Sequence, residues 1–400
     1  VDFQIVSVDL DLEETRLDIP ELNWTKRRGD ASSAQVSFRQ DTGTNLTRVA
    51  FDAEDLKFRG NLALTEEGRL DQLIVDQFYL EDQLDLAGEL RRTGPLALEL
   101  VVSGPFMNAE PLTAGLFSGE GGALPIFGDV DFRAEIDRLR LRRGLEVDDA
   151  DLHTVFSGPQ LVQLDLSGEI TGDDEFLLTV RDDGDGVRNL TAEVSNAGAM
   201  FEALMGEQFV QGGQLYMTGQ LRSGDDPTNL DITVTNTRMV NAPLLTQILS
   251  LASLRGLADV MSGEGILFTS INIPLVIDET GYYSPGAKAS GPALGMTAKG
   301  SILEGGSELS IDGVLVPSFG VNSALGGIPI IGDLFVSREG EGVFAMTYAV
   351  RGSLEEARIA VNPLSGILPG VLRRIFENPA SEEVPVADAP DDAPAEPANP

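Results

Sequence analysis

The chain has 400 residues, a formal net charge of −36, 44 glycines, 6% aromatic residues and no cysteine. That length can bury one large core or divide into several domains. The lack of cysteine excludes disulfides, thiolate metal sites and a cysteine nucleophile, and the charge opposes nucleic-acid backbones and broad contact with anionic membrane surfaces.

From its first residue the chain runs in a strand pattern (VDFQIVSVDL), with neither Met nor a basic leader. A targeting segment is therefore expected upstream. No apolar run approaches the roughly 20 residues of a spanning helix. Alternation of apolar and polar residues then dominates. Leu84, Leu86 and Leu90 share a face with Gly88, and Leu96, Leu98, Leu100 and Val102 follow. The pattern returns at Leu164, Leu166 and Ile170, at Phe176, Leu178 and Val180, and at Leu190, Ala192 and Val194. Turn signals separate these runs: Thr93-Gly94-Pro95, Thr171-Gly172-Asp173-Asp174 and Asp183-Gly184-Asp185-Gly186. The expected fold is mainly β, a long, curved antiparallel meander of repeating groove type with a few short to medium helices.

One strand motif recurs as LDLAGEL (84–90), LDLSGEI (164–170) and LYMTGQL (215–221). Its glycine falls on the apolar face, where it leaves room for a bend or a close neighbour. Repetition of this kind favours an elongated sheet over a closed barrel.

Helical periodicity predicts three interruptions. The first lies near 196–205, with Asn196 as N-cap. The second spans 242–261, capped by Asn241 with Pro243 in its first turn. Its apolar face comprises Leu244, Leu245, Ile248, Leu251, Ala252 and Met261, and Gly256 is a candidate kink. The third spans 363–376, with a stripe of Leu364, Ile367, Leu368, Val371, Leu372 and Ile375, weakened at Pro369 and Gly370. Arg373 and Arg374 suit its C-terminal dipole. Residues 377–400 are acidic and rich in Pro and Ala, a composition expected to be disordered.

Chemical motifs are sparse. His153 is the single histidine, at a polar-facing strand position, so the common zinc sites are not expected. Neither a nucleophile elbow nor a P-loop is present. Asp182, Asp183 and Asp185 begin like a calcium loop, but Val187 replaces a required oxygen ligand and no Glu closes the loop; a hairpin turn is expected instead. Asn45-Leu46-Thr47 and Asn189-Leu190-Thr191 match a glycosylation sequon without further support. The reading is of a protein that is not an enzyme and uses no cofactor or metal. A glycosidase is the enzymatic alternative; it needs two carboxylates about 5–10 Å apart across a cleft.

The second half resembles a known family. NAPLLTQILSLASLRGLADVMSGEGILF (241–268), SPGAKASGPALGMTAKGSI (284–302), NSALGGIPIIGDLF (322–335) and VRGSLEEARIAVNPLSGILPGVLRRIFE (350–377) are similar, in that order, to the AsmA-like C-terminal region of large YhdP-type envelope proteins of Gram-negative bacteria. The resemblance covers about 190–377, and residues 1–190 match in style. It implies a domain division into a groove segment (1–195), an AsmA-like region (196–376) and a tail (377–400). It also implies a bridge-like lipid transporter, anchored in the inner membrane upstream and extending through the periplasm. An apolar groove would carry phospholipid to the outer membrane.

On that reading the groove candidates are Leu215, Met217, Leu221, Ile271, Ile273, Leu275, Ile277, Leu294, Met296, Ile302, Leu309 and Ile311. The third helix would cap the sheet or touch a membrane or membrane protein, with Arg373 and Arg374 facing phosphate headgroups. Phospholipid is the expected partner, and nucleic acid is not. An envelope scaffold or outer-membrane assembly factor that carries no lipid is the alternative.

Overall fold

A computed structural model describes residues 4–41, 44–65, 68–110, 128–141, 144–170, 172–184, 186–205, 208–222, 226–252, 254–255, 263–317, 345–354 and 356–364. Nearly all the strands join one sheet of twenty-one. Its first part is an antiparallel run of β1 (Gln4–Asp11), β4 (Ser32–Asp41), β5 (Thr44–Ala53), β6 (Leu56–Leu64), β7 (Leu70–Leu80), β8 (Leu84–Gly94) and β9 (Ala97–Asn108). β9 then pairs in parallel with β10 (Asp129–Arg140), from Asp129 opposite Ala97 to Arg140 opposite Asn108.

Antiparallel order resumes through β11 (Glu146–Ser157), β12 (Gln160–Glu169), β13 (Glu175–Asp182) and β14 (Val187–Val194). β14 pairs directly with β16 (Gln214–Arg222), and the short β15 (Val210–Gln211) lies beside β17 (Thr228–Met239). The run closes with β18 (Ile266–Asp278), β19 (Gly281–Ser290), β20 (Leu294–Leu303), β21 (Leu309–Pro317), β22 (Ala345–Gly352) and β23 (Ala357–Leu364). Among the described residues β1 and β23 are the two free edges. The sheet crosses residue 195 without a break, and among the described strands the one parallel pairing is the β9–β10 seam.

The two ends of the strands differ. At one end the described connections are short turns, as at residues 93–96 and about Gly184, where the turn signals predicted them. The other end carries the insertions. A two-stranded hairpin of β2 (Leu17–Ile19) and β3 (Trp24–Lys26) follows β1. Its Trp24 packs with Ala53, Leu56 and Leu80, edge-on to Phe51 at 5.7 Å between ring centroids. Lys26 is buried, yet its ammonium donates to the carbonyls of Glu13 (3.1 Å), Thr15 (3.0 Å) and Arg27 (3.0 Å), which offsets the desolvation of the charge.

A first helix, Ala197–Met205, follows β14, and a second, Pro243–Leu251, follows β17; both seal the same end. The first is capped as expected: the Ala199 amide donates to Asn196 Oδ1 at 3.1 Å. The second differs from expectation in three ways. Its N-cap is Ala242, because Asn241 adopts a left-handed turn (φ 45°). It is described only to Leu251, and Gly256 and Met261 lie outside the described residues. Leu249, not Leu251, completes its buried face with Leu245 and Ile248, while Leu251 is exposed. Residues 363 and 364 belong to β23, not to a third helix: Pro363 pairs with Met346 and Leu364 with Ala345. Ile367, Leu368, Val371, Leu372, Arg373, Arg374 and Ile375, with residues 377–400, lie outside the described residues.

The recurring glycines sit where backbones approach closely. A Cβ at Gly168 would lie 2.7 Å from the Asp148 carbonyl oxygen and 2.5 Å from Val147 Cγ1, and one at Gly88 would collide with the Val101 carbonyl. Gly286, by contrast, stands in open space at a bulge after Pro285. Gly168→Val should lower the unfolding free energy by about 1–3 kcal/mol, whereas Gly286→Ala should leave it within about 0.5 kcal/mol. Urea denaturation of the two variants checks the contrast.

Candidate functional site

Strand pairing carries inner and outer faces coherently across the sheet. One inner file runs through Val8, Val36, Val49, Gly60, Val75, Gly88, Val102, Ala134, Leu152, Leu166, Leu178, Ala192, Met217, Ile232 and Ile273. A second, two residues along each strand, runs through Val6, Phe38, Thr47, Leu62, Leu73, Leu90, Leu100, Phe132, Thr154, Leu164, Val180, Leu190, Gly219, Leu230 and Leu275. At about 4.8 Å per strand, this apolar path is on the order of 65 Å long.

Its accessibility is graded. At the β1 edge Val6 and Phe38 are 56% and 50% exposed, and Leu62, Leu73, Val75, Leu90 and Leu100 are half-buried. Between β11 and β14 the path tightens: Thr154, Leu164, Val180 and Leu190 are all buried. It relaxes again at Met217, Ile232, Ile273 and Leu275, which are half-buried. At the tight stretch the inner side chains bury against one another and against the first helix, whose Ala197, Met200, Phe201 and Leu204 belong to the same cluster.

All twelve groove candidates lie on this one face. Leu215 and Leu221 are buried in the central cluster, and Leu294 and Leu309 in the C-terminal one. Met217, Ile271, Ile273, Leu275, Ile277, Met296, Ile302 and Ile311 are half-buried. The stripe runs on at Tyr348, whose ring covers Gly313 and whose hydroxyl donates to the Thr297 carbonyl at 2.8 Å. Burial pushes its phenol pKa well above the ordinary value. Leu96, grouped with the apolar run of β9, instead sits in a turn and is 71% exposed.

The outer face is largely polar and cross-braced, although Leu46, Ile74, Val101, Leu177 and Tyr216 are exposed on it. Arg91 on β8 bonds Glu99 on β9, which also holds Arg133 of β10 at 3.2 Å, and Arg133 reaches Asp131 at 3.1 Å. Asp131 meets His153 Nε2 at 3.1 Å, and His153 Nδ1 lies 3.3 Å from Gln163 Nε2. Gln163 donates to Asp165 at 2.7 Å, and Asp165 pairs with Arg181 on β13. The single histidine is therefore one link in a network that crosses the parallel seam. Asp182 accepts the Gly184 amide at 2.8 Å in the β13–β14 turn, a hairpin turn as expected. Among the described residues no cluster of His, Asp and Glu could hold a metal, and no helix is long and apolar enough to cross a membrane.

Sequence reasoning left the inner face of β4 to β9 out of the site. In β7 the bulge between Val75 and Phe78 shifts the alternation by one residue. It also left out Arg188, although the spacing 188, 190, 192, 194 places it on the apolar face of β14. No protein-family model, characterised protein or solved structure matches the chain.

The Glu99 carboxyl is held below its ordinary range, first by the Arg91 hydrogen bond and charge and then by Arg133. Its folded pKa is depressed, so the stability it contributes is present above the unfolded value and lost as pH falls through the folded one. Glu99→Gln should flatten the acid limb of the stability–pH curve, modestly because the pair is solvent-screened. Thermal melts between pH 2 and pH 7, a range set by ordinary carboxylate titration, check it.

Proposed function

We propose that this chain is the C-terminal part of a periplasm-spanning, inner-membrane-anchored protein of the Gram-negative envelope. It shields lipid acyl chains in its apolar trough and aids phospholipid transport between the inner and outer membranes, without enzymatic chemistry. The observation that carries the reading is the unbroken inner apolar path, partly open to solvent and backed by a largely polar outer face. The family resemblance of residues 190–377 supplies the compartment and the lipid class. Exposing an acyl chain costs about 0.8 kcal/mol per CH₂, so a 16-carbon tail faces on the order of 12 kcal/mol in water. An apolar trough removes most of that barrier by contact alone.

The buried stretch from Thr154 to Leu190 favours a second reading, an envelope scaffold or outer-membrane assembly factor whose inner face is simply a core. The readings separate by experiment. Native mass spectrometry of gently purified protein should show bound phospholipid. A photo-crosslinking residue at Val75 or Ile273 should form lipid adducts, and one at the buried Val180 should not. Lipid-free protein with adducts to protein alone would establish the scaffold instead.

A further inference from the structure

The two rims of the trough are chemically unequal. The insertion-bearing rim is sealed by Trp24 and the two helices. The short-turn rim is formed by the inner positions one step beyond the second apolar file, and two arginines stand on it. Arg92 lies two residues beyond Leu90 and pairs with Leu98; Arg188 lies two residues before Leu190 and pairs with Asp182 and Leu221. They differ in one respect. The guanidinium of Arg92 is committed, its Nε donating to the Leu70 carbonyl at 2.8 Å and its Nη1 to the Pro95 carbonyl at 2.9 Å. Arg188 has a buried Nε with no acceptor among the described residues. Its neighbour Asp182 turns Oδ1 to the Gly184 amide, and no ion pair joins the two.

A buried donor left unmet is destabilising, and more so when it is charged. The neighbours of Arg188 along the inner face include Leu190 and Leu221, both buried. A cation therefore borders an apolar path, at a rim where the described connections are short turns and where the path is tightest. That arrangement matches an amphiphile with an anionic head and apolar tails. We propose that Arg188 is a headgroup site: it binds the phosphate of an anionic phospholipid whose acyl chains lie along the inner files. Guanidinium suits this role because it offers several donors in a plane and stays charged. Arg92, roughly 30 Å away along the sheet at about 4.8 Å per strand, is a rim residue without this function because its Nε and Nη1 already hold backbone carbonyls. The inference rests on the trough reading and adds to it a place and a charge for the head.

The test compares acyl-labelled phosphatidylglycerol with the diacylglycerol bearing the same tails, each titrated onto wild-type protein, Arg188→Gln, Arg188→Lys and Arg92→Gln, with circular dichroism to verify folding. Wild type should prefer the phosphate-bearing lipid by about tenfold. Arg188→Gln should erase that preference while leaving diacylglycerol binding intact; Arg188→Lys should retain part of it, and Arg92→Gln all of it. An unchanged preference in Arg188→Gln, with both lipids still bound, overturns the headgroup site and leaves the trough standing. Failure of wild type to bind either lipid overturns the trough reading itself. Full displacement by inorganic phosphate, with no contribution from the tails, would make Arg188 a free-anion site and overturn the proposal too.

Discussion

Backbone pairing is the constraint on which the rest of this molecule depends. In a sheet, side chains alternate between faces with a period of two, so a slip of one residue exchanges inside for outside. The registers here keep that parity from β1 to β18 along the two apolar files, across a parallel seam and several bulges. Where β7 adds a residue between Val75 and Phe78, both remain inner residues, opposite Gly88 and Leu86. The glycines Gly60, Gly88 and Gly219 occupy inner-file positions, and at Gly88 and Gly219 a side chain would strike the neighbouring strand. Close strand approach and an uninterrupted apolar face are thus consequences of the same residues.

The faces then divide the labour. Inside, burial grades from open at β1 to closed at β11–β14 and partly open again at β16–β18. Outside, charged and amide side chains link β8 to β13 through Glu99, Arg133, His153 and Asp165. The brace spans the parallel seam, where pairing is slightly weaker per residue than in an antiparallel ladder. The strand ends divide as well: the hairpin and helices gather at one rim, and the described connections at the other are short turns. A lipid reading draws on all three asymmetries.

Much of this was legible in the residues. Alternation in LDLSGEI and LYMTGQL placed Leu164, Leu166, Leu215 and Leu221 on the buried face, and the Gly-Asp turn signals located the hairpins. Asn196 declared its cap through its position before an apolar helical run. Tertiary context hid the rest. Pro363 and Leu364 opened the predicted third helix, but the free side of β22 recruited them as strand, and backbone pairing outweighed propensity. The parallel seam at Ala97 and Asp129 left no local mark, because a long-range pairing has no periodicity of its own. Arg188 was visible by spacing, yet a cation on an apolar face gains meaning only once the files on either side are known.

The central claim is that the inner face, and not the outer one, meets lipid. The chain has no cysteine, so single cysteines introduced from Gln72 to Val75 can each carry an environment-sensitive fluorophore. On adding phospholipid vesicles, emission should shift to the blue at Leu73 and Val75 and stay fixed at Gln72 and Ile74, repeating the two-residue period of the strand. Equal shifts at all four positions, or none at any, would contradict the account.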